Sequence, residues 1–382
     1  MKIFARYGIG IYLVITLLFK VYFVFPAAIT KLLYIVTMLI GVLLLPFYTK
    51  FILTPRHQKA FAILYWIMLL NFIYLLLFDR QLASVLYFLS KLSTTVLIVL
   101  GIRLNYAFYK ENFIRFFKYA MLALMMMGYM FGEYGEDALT PERLSMGFNP
   151  NDLGLFGVLG VLSIITLNKV WSRKVIDMSL VMVFLVLTLM SGSKSALLNL
   201  GICMLLVYGF SMRAFGISLL FLIAVFISSE LGYITSIERL TGTEPLMETR
   251  DEVFEIGMMT FKDAFWLGHG LDKYGWTEPR FWPFPELAMG PHNTFLSIGI
   301  MYGVIFGSLF LLSILIFMIK NAKAAGRSPD RYIRFCYYVA VLCVVNGSFE
   351  TLIVGVNEFV TLLFWFAIGC IASHKILNKQ LC

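Results

Sequence analysis

One feature decides the solvent of this fold before any other. Stretches of about 20 consecutive apolar residues, long enough to cross a bilayer as helix, recur along almost the whole chain. They fall at 8–25, 28–48, 60–78, 83–102, 113–132, 153–168, 175–190, 195–210, 214–231, 292–319, 333–350 and 356–374. The chain is 60% hydrophobic and 14% charged, whereas a soluble domain carries about 25% charged residues. A folded soluble protein could not hide that much apolar surface from water, so the solvent is lipid. The expectation is an all-α integral membrane protein, one polytopic unit over 1–382 with about twelve transmembrane helices. No small-residue cleavage site follows the first stretch, so it reads as a span and not as a cleaved signal peptide. No sequence repeat, low-complexity tract or soluble domain interrupts the pattern.

The formal charge of +9 would suggest nucleic acid in a soluble protein. In a lipid-solvated chain it is explained by Lys and Arg gathering on cytoplasmic loops. With a cytoplasmic N-terminus, the inner segments are "MKIFAR", "TKFILTPRHQK", "RLNYAFYKENFIRFFK", "NKVWSRK", "SMR", "KNAKAAGRSPDRYIR" and the tail from His374. Together they hold 20 of the 31 Lys and Arg, and with their flanks only Glu111, Asp177 and Asp330 of the 22 acidic residues. Both termini are therefore expected in the cytoplasm. Cys203, Cys336, Cys343 and Cys370 lie in spans and Cys382 in the tail, so neither an outer disulfide framework nor a CxxC metal site is expected.

The outer segments carry the remaining information. They are "GEYGEDALTPERLSMGFNPND", "SGSKS" and a long loop over 232–291, between spans nine and ten. That loop holds Trp266, Trp276 and Trp282, ten acidic residues against five basic ones, and a helical-looking run from Glu248 to Trp266. Long loops in compact proteins usually carry function, and this one is expected to fold down onto the membrane face, over an active site. Arg143, Lys194, Arg250 and His292 all fall on this side, near span ends. Each has a plain alternative. His292 could cap the tenth span, with Pro291 in its first turn. Lys194 could snorkel to the interface. Arg143 could pair with Glu142 or Glu136. "GHG" reads first as a backbone turn that leaves His269 exposed, and "NPND" as a turn. Gly299, Gly303 and Gly307, four residues apart, read as a helix-packing face. Lys20 and Lys91 lie inside spans, so they must face protein or reach an interface.

Four segments in order, "RLSMGFNPNDLG", "SGSKSALL", "TRDEVFEIGMMTFKDAFWLGHGLDKYG" and "PHNTFLSIGIMYGVIFG", resemble the O-antigen ligase and polymerase superfamily of bacterial envelope glycan assembly. The resemblance covers about Arg143 to Gly307; the chain before Gly132 matches only as hydrophobic spans. It implies a metal-independent glycosyltransferase of the bacterial cytoplasmic (inner) membrane, without cofactors, acting on its outer face. The implied partners are undecaprenyl-diphosphate-linked glycans and membrane lipids, with a chain-length regulator protein as an optional one and no nucleic acid. The histidine of the "HN" motif falls on His292, as base or acceptor-orienting residue. The arginine opening the loop helix falls on Arg250, a diphosphate contact. The cation of the Ser-rich motif falls on Lys194, where family members commonly have Arg; Lys keeps the charge and loses bidentate phosphate recognition. Arg143 is a third candidate for the diphosphate. Asn149, Asn151, Asn293, His269 and Arg280 are candidate glycan contacts.

The chemistry stands without the resemblance. Glycosyl transfer from a lipid diphosphate needs a hydroxyl poised at the anomeric carbon, a group to take its proton, and positive charge on the leaving diphosphate. An imidazole titrates near neutrality and can accept that proton, and Arg250 and Lys194 can supply the charge. No HExxH, DxD or paired Cys/His marks a metal site, although acidic pairs occur at Glu136–Asp137 and Asp251–Glu252. No Walker or dinucleotide motif is present, so the activated lipid must supply the energy. Three functions fit: a polymerase of O-antigen, capsule or exopolysaccharide repeat units, which we favour because it needs no particular acceptor; a ligase that moves finished glycan to lipid A–core or another acceptor; and a lipid-linked glycan transporter or flippase. The last should show paired interrupted helices and midplane charges.

Overall fold

The computed structural model describes residues 1–21, 26–131, 149–167, 174–209, 248–356 and 358–381. The ninth apolar stretch, 214–231, and Arg143 lie outside the described residues. The protein is all-helical, and no strand occurs among the described residues. Helices α1 (Lys2–Leu18), α2 (Ala27–Ile52), α3 (Pro55–Ala60), α4 (Ala62–Leu77) and α5 (Leu82–Phe108) form the first half. A π-helical turn at Tyr109–Phe113 joins α5 to α6 (Ile114–Phe131). Then come α7 (Pro150–Leu167), α8 (Lys174–Met190), α9 (Lys194–Tyr208), α10 (Glu248–Asp263), α11 (Thr294–Gly326), α12 (Arg331–Asn346) and α13 (Phe359–Leu381).

Each expected apolar stretch among the described residues holds a helix. Five of these helices are long and apolar enough to cross a membrane: Lys2–Val21, Ala28–Ile52, Leu82–Phe113, Pro150–Leu167 and Thr294–Gly326. Several of the others, α4, α8, α9 and α12, are shorter, with 15 to 17 residues. A 16-residue helix such as α4 is ~24 Å long at 1.5 Å per residue, less than the ~30 Å hydrocarbon core.

Two helices anchor the packing. In α5, Val96 to Ile102 are all buried, and α1, α2, α4 and α13 pack around it. In α7, Gly154, Gly157 and Gly160 let α8 and α9 approach closely: Ala196 and Ser191 lie against Gly154, Thr188 against Gly157 and Phe184 against Gly160. Without a hydrophobic force between helices in lipid, such small-residue faces supply the contact.

The two ends of the bundle differ. At one end, Lys110 pairs with Asp330 and Lys118 with Asp177, both at 2.7 Å. Two of the three acidic residues of the basic segments are thus neutralised there. At the other end sit α10 and the loop that follows it, with Lys20 paired to Asp152 at 2.6 Å.

Candidate functional site at the loop end

The loop end is built around a broken helix. Inside α11, Gly303 takes φ +65°, ψ −174°, which frees backbone groups on either side of the break. The segment after α10 fills them. His269 and Gly270 N–H donate to the carbonyls of Ile300 and Met301 at 2.7 and 3.1 Å, and Val304 N–H donates to Phe265 O at 2.8 Å. The Tyr74 hydroxyl, from α4, lies 2.6 Å from Leu267 O and 2.8 Å from Met301 O. A Cβ on Gly303 would run into the backbone of Trp266 and Leu267. Gly303 is therefore a break and not the packing glycine expected from the four-residue spacing; Gly299, against Phe261, does pack. Helix α10 lies along the start of α11, with Gly257 against Pro291 and Leu296. Buried Asp79, in the turn between α4 and α5, holds the loop by accepting from Leu271 N–H (2.7 Å) and the Ser84 hydroxyl (2.5 Å).

His292 stands just before α11. The helix begins at Thr294 and its cap is Asn293, whose Oδ1 accepts from Leu296 N–H at 3.0 Å. This corrects the capping alternative: neither His292 nor Pro291 belongs to the first turn. Among the described residues His292 is the only non-glycine with positive φ, +43°. Such a conformation costs about 1–2 kcal/mol and persists where neighbours over-determine it. They do so here. Thr294 N–H donates to Gly347 O at 2.7 Å, Asn293 Nδ2 to Ser348 O at 3.1 Å, and Thr294 Oγ1 to Glu350 O at 2.8 Å. Asn293 thus spends one amide hydrogen on Ser348 O and accepts the Leu296 N–H on its oxygen, which leaves its second amide hydrogen for a ligand.

Glu350 joins the parts. Its Oε2 lies 3.4 Å from His292 Nδ1, and its Oε1 accepts from Asn151 Nδ2 at 2.7 Å. The first contact is long for a hydrogen bond, as catalytic contacts in ligand-free enzymes often are. With Nδ1 turned to a carboxylate, Nε2 is left as the proton acceptor, and it makes no hydrogen bond within the described residues. The His292 side chain is 45% exposed. Behind Glu350 lies a polar cavity of about 170 Å³, lined by Asn149, Asn151, Asp152, Asn346, Glu350 and Glu358 among others. Part of its lining comes from the non-helical segment 347–356. Non-helical backbone at membrane depth must be satisfied by protein. Trp365 Nε1, the Tyr87 hydroxyl and Lys91 Nζ donate to the carbonyls of Ile353 (2.9 Å), Val354 (2.9 Å) and Gly355 (2.5 Å). Lys20 and Lys91, the two cations inside spans, are thus both engaged by protein.

The remaining candidates divide. Lys194 is the first residue of α9, after the Ser193 cap, and is exposed. Helix α9 packs on α7 at the cavity end, where Asn199 donates to Asn346 at 2.8 Å. A cation at a helix N-terminus opposes the helix dipole, so Lys194 does not stabilise α9 by its charge. Arg250 lies in the first turn of α10. His269 is not exposed as expected. Its Nε2–H donates to Thr260 O at 2.8 Å and its ring meets Trp276 edge-on, so it rivets the loop to α10. Arg280 pairs with Asp263 at 2.5 Å. Asp263, His269 and Glu278 bring ligand atoms within 4.8 Å of one another, a grouping that sequence spacing does not reveal. Here the cation beside Asp263 is the Arg280 guanidinium, and His269 Nε2 is taken by a carbonyl. Glu350, Asp152 and Glu358 were not visible as site residues from sequence. Asn149 and Asn151, through "NPND", pointed to the cavity.

Residues 178–312 match the family model Wzy_C, described as O-Antigen ligase. The match takes in Lys194, Arg250, His269, Arg280, His292 and Asn293, and ends before Glu350. No curated protein matches the chain.

Proposed function

We propose that this member of the O-antigen ligase and polymerase superfamily, whose relatives are glycosyltransferase-like enzymes, polymerises undecaprenyl-diphosphate-linked repeat units into O-antigen, capsule or exopolysaccharide. The observation that carries the reading is His292: strained, half-exposed, backed by Glu350 and set beside a polar cavity. In the reaction the acceptor hydroxyl attacks the anomeric carbon, its proton passes to His292 Nε2, and the bond to the diphosphate breaks with the electron pair leaving on undecaprenyl diphosphate. Glu350 is the positioning residue that fixes the imidazole. Lys194, Arg250 and Arg143 supply positive charge to the diphosphate, and no metal takes part.

The chain would cross the cytoplasmic membrane about twelve times with both termini inside, and the 232–291 loop would roof the site on the outer face. Trp266, 65% exposed, suits the headgroup region. Against the transporter reading stands the pairing of the broken helix: the carbonyls of Ile300 and Met301 and the N–H groups of Val304 and Ile305 already bond the loop backbone and Tyr74, whereas interrupted transporter helices turn such groups to a coupling ion. A ligase uses the same donor and leaving group, and the family description favours it. The test is purified protein with purified lipid-linked repeat units, with and without lipid A–core. A glycan ladder with release of undecaprenyl diphosphate is the expected result. Transfer only to lipid A–core would make the protein a ligase, and no transfer to either would overturn the reading.

A further inference from the structure

The polar cavity behind Glu350 has a composition that suits one ligand class. We infer that it is the pocket for an uncharged sugar ring of the acceptor glycan, which would hold that ring so that its hydroxyl meets His292. This rests on the glycosyl-transfer reading and adds to it where the acceptor binds and what kind of group is accepted.

The first observation is the balance of charge. Asp152, Glu350 and Glu358 line the cavity against a single lining cation, Lys20, which is already paired to Asp152. Carboxylates placed so close would repel a diphosphate or a uronate. They are good acceptors for sugar hydroxyls, and the amides of Asn149 and Asn346 add donors for hydroxyl and ring oxygens. The second is a donor left unused. Asn346 is 2% exposed and lines the cavity. Its Oδ1 accepts from Asn199 at 2.8 Å, and its own NH₂ has no hydrogen bond within the described residues. Asn346 borders the cavity, so a ligand there would take the hydrogens of this amide. Glu358 is similar: one oxygen takes the Thr361 hydroxyl at 2.9 Å, and the carboxylate still borders the cavity. The third is size. About 170 Å³ is many times the ~10–15 Å³ that one water needs, which is room for a ligand larger than water, such as a sugar ring. Glu350 connects cavity to base, because it lines the one and touches the other.

The experiment uses the full chain in nanodiscs and two probes. One is the repeat-unit oligosaccharide freed of lipid and phosphate by mild acid, with binding read by saturation-transfer NMR. The other is undecaprenyl phosphate, read by tryptophan fluorescence. Asn346→Asp keeps the oxygen that Asn199 needs and replaces the donor by a charge. Glu358→Gln keeps shape and replaces an acceptor oxygen by a donor amide. Each is expected to weaken oligosaccharide binding at least tenfold and leave undecaprenyl phosphate affinity unchanged. Thermal melting checks folding, and Glu358→Gln decides if Asn346→Asp is unstable. Wild-type oligosaccharide affinity in both variants, or loss of undecaprenyl phosphate alone, would overturn the assignment, as would failure of the wild type to bind the oligosaccharide. Turnover of lipid-linked units by the wild type is measured alongside. Its absence despite oligosaccharide binding would count against transfer chemistry and not against the pocket; normal turnover in variants that bind normally would do the reverse.

Discussion

The two ends of the bundle use the same residue types in opposite ways, and two histidines make the contrast plain. His57, at the basic end, is 5% exposed and fully occupied: its Nδ1–H donates to Phe51 O and its Nε2 accepts from Arg103 Nε–H at 3.0 Å. His292, at the loop end, is half-exposed, has one long contact to Glu350, and has no partner for Nε2 among the described residues. Lysines follow suit. Lys110 and Lys118 are closed by aspartates, while Lys194 is exposed and forms no ion pair among the described residues. Closed pairs hold helices together, and groups left open at a helix end and a cavity mouth are available to a substrate. The comparison therefore supports the proposed site at the loop end without reference to any relative.

Substitution should break the contrast most sharply at the histidines. His292→Asn is expected to lower polymer formation 10²–10⁴-fold, the usual cost of losing a general base, while leaving the melting temperature near wild type, because Asn tolerates positive φ. His57→Gln should keep turnover within a few-fold and lose about 1–2 kcal/mol of stability for its buried hydrogen bonds. Equal turnover in the two variants, assayed on purified lipid-linked units, would end the distinction between open and closed. The lysines give the next effect. Lys194→Ala should reduce turnover by roughly ten- to a hundredfold, about 1.4–2.7 kcal/mol of barrier, and Lys194→Arg should restore most of it, since charge is the proposed role. Lys110→Ala at the closed end should change turnover little. Normal turnover in Lys194→Ala would return that residue to an interface anchor.

Gly303 probes what supports the open end. With φ at +65° and loop backbone where a Cβ would go, Gly303→Ala is expected to cost ~1–3 kcal/mol, seen as a lower melting temperature in detergent. Gly307→Ala has only ordinary contacts nearby and should be mild. If the two melt alike, the break in α11 is not what holds the loop.

What could be seen in the sequence follows from range and conformation. Apolar runs are local, so the helical membrane fold was plain, and His292 stood out as a titratable residue at the lip of such a run. Glu350 was hidden because it ends the apolar stretch 333–350 and meets His292 only across 58 residues of chain. Gly303 was misread because four-residue spacing looks the same whether a glycine packs a neighbour or breaks its own helix; only the backbone angle separates them. His269 looked exposed because two glycines flank it, yet those glycines, at φ +77° and +126°, are what turn the chain so that its ring tucks under α10. The span count came from apolar windows, which cannot show that several of them form helices of only 15 to 17 residues.

Acidity sharpens the contrast in a smaller way. Burial, and to a lesser degree Arg103 and Arg56, hold the His57 imidazole below its usual range, against the opposing pull of the Phe51 carbonyl. The unfolded chain therefore binds a proton at this site more readily than the folded one. The contribution of His57 is fully present above about pH 6.5, its unfolded value, and is lost as pH falls through the lower folded value. Melting temperatures between pH 7.5 and 5 should decline less in His57→Gln than in wild type. An identical slope would mean that the closed end is not proton-sensitive at His57.

The smallest expected effect is none at all, and it concerns the one place where closed and open are hardest to tell apart. Asp263, His269 and Glu278 converge closely enough to hold a metal ion. Yet the Arg280 guanidinium already sits on Asp263, and His269 Nε2 is spent on Thr260 O. A metal would have to displace a charged partner and break a backbone hydrogen bond before gaining its ligands. The cluster is better explained as a clasp that closes the loop on α10, chemically akin to the pairs at the basic end. Turnover is therefore expected to be unchanged by EDTA, and Arg280→Ala to loosen the loop, read as faster proteolysis between 264 and 290, more than it slows transfer. Loss of turnover on chelation that manganese or magnesium restores would move this cluster from the closed class to the open one, and would put a Lewis acid within the loop that covers the diphosphate.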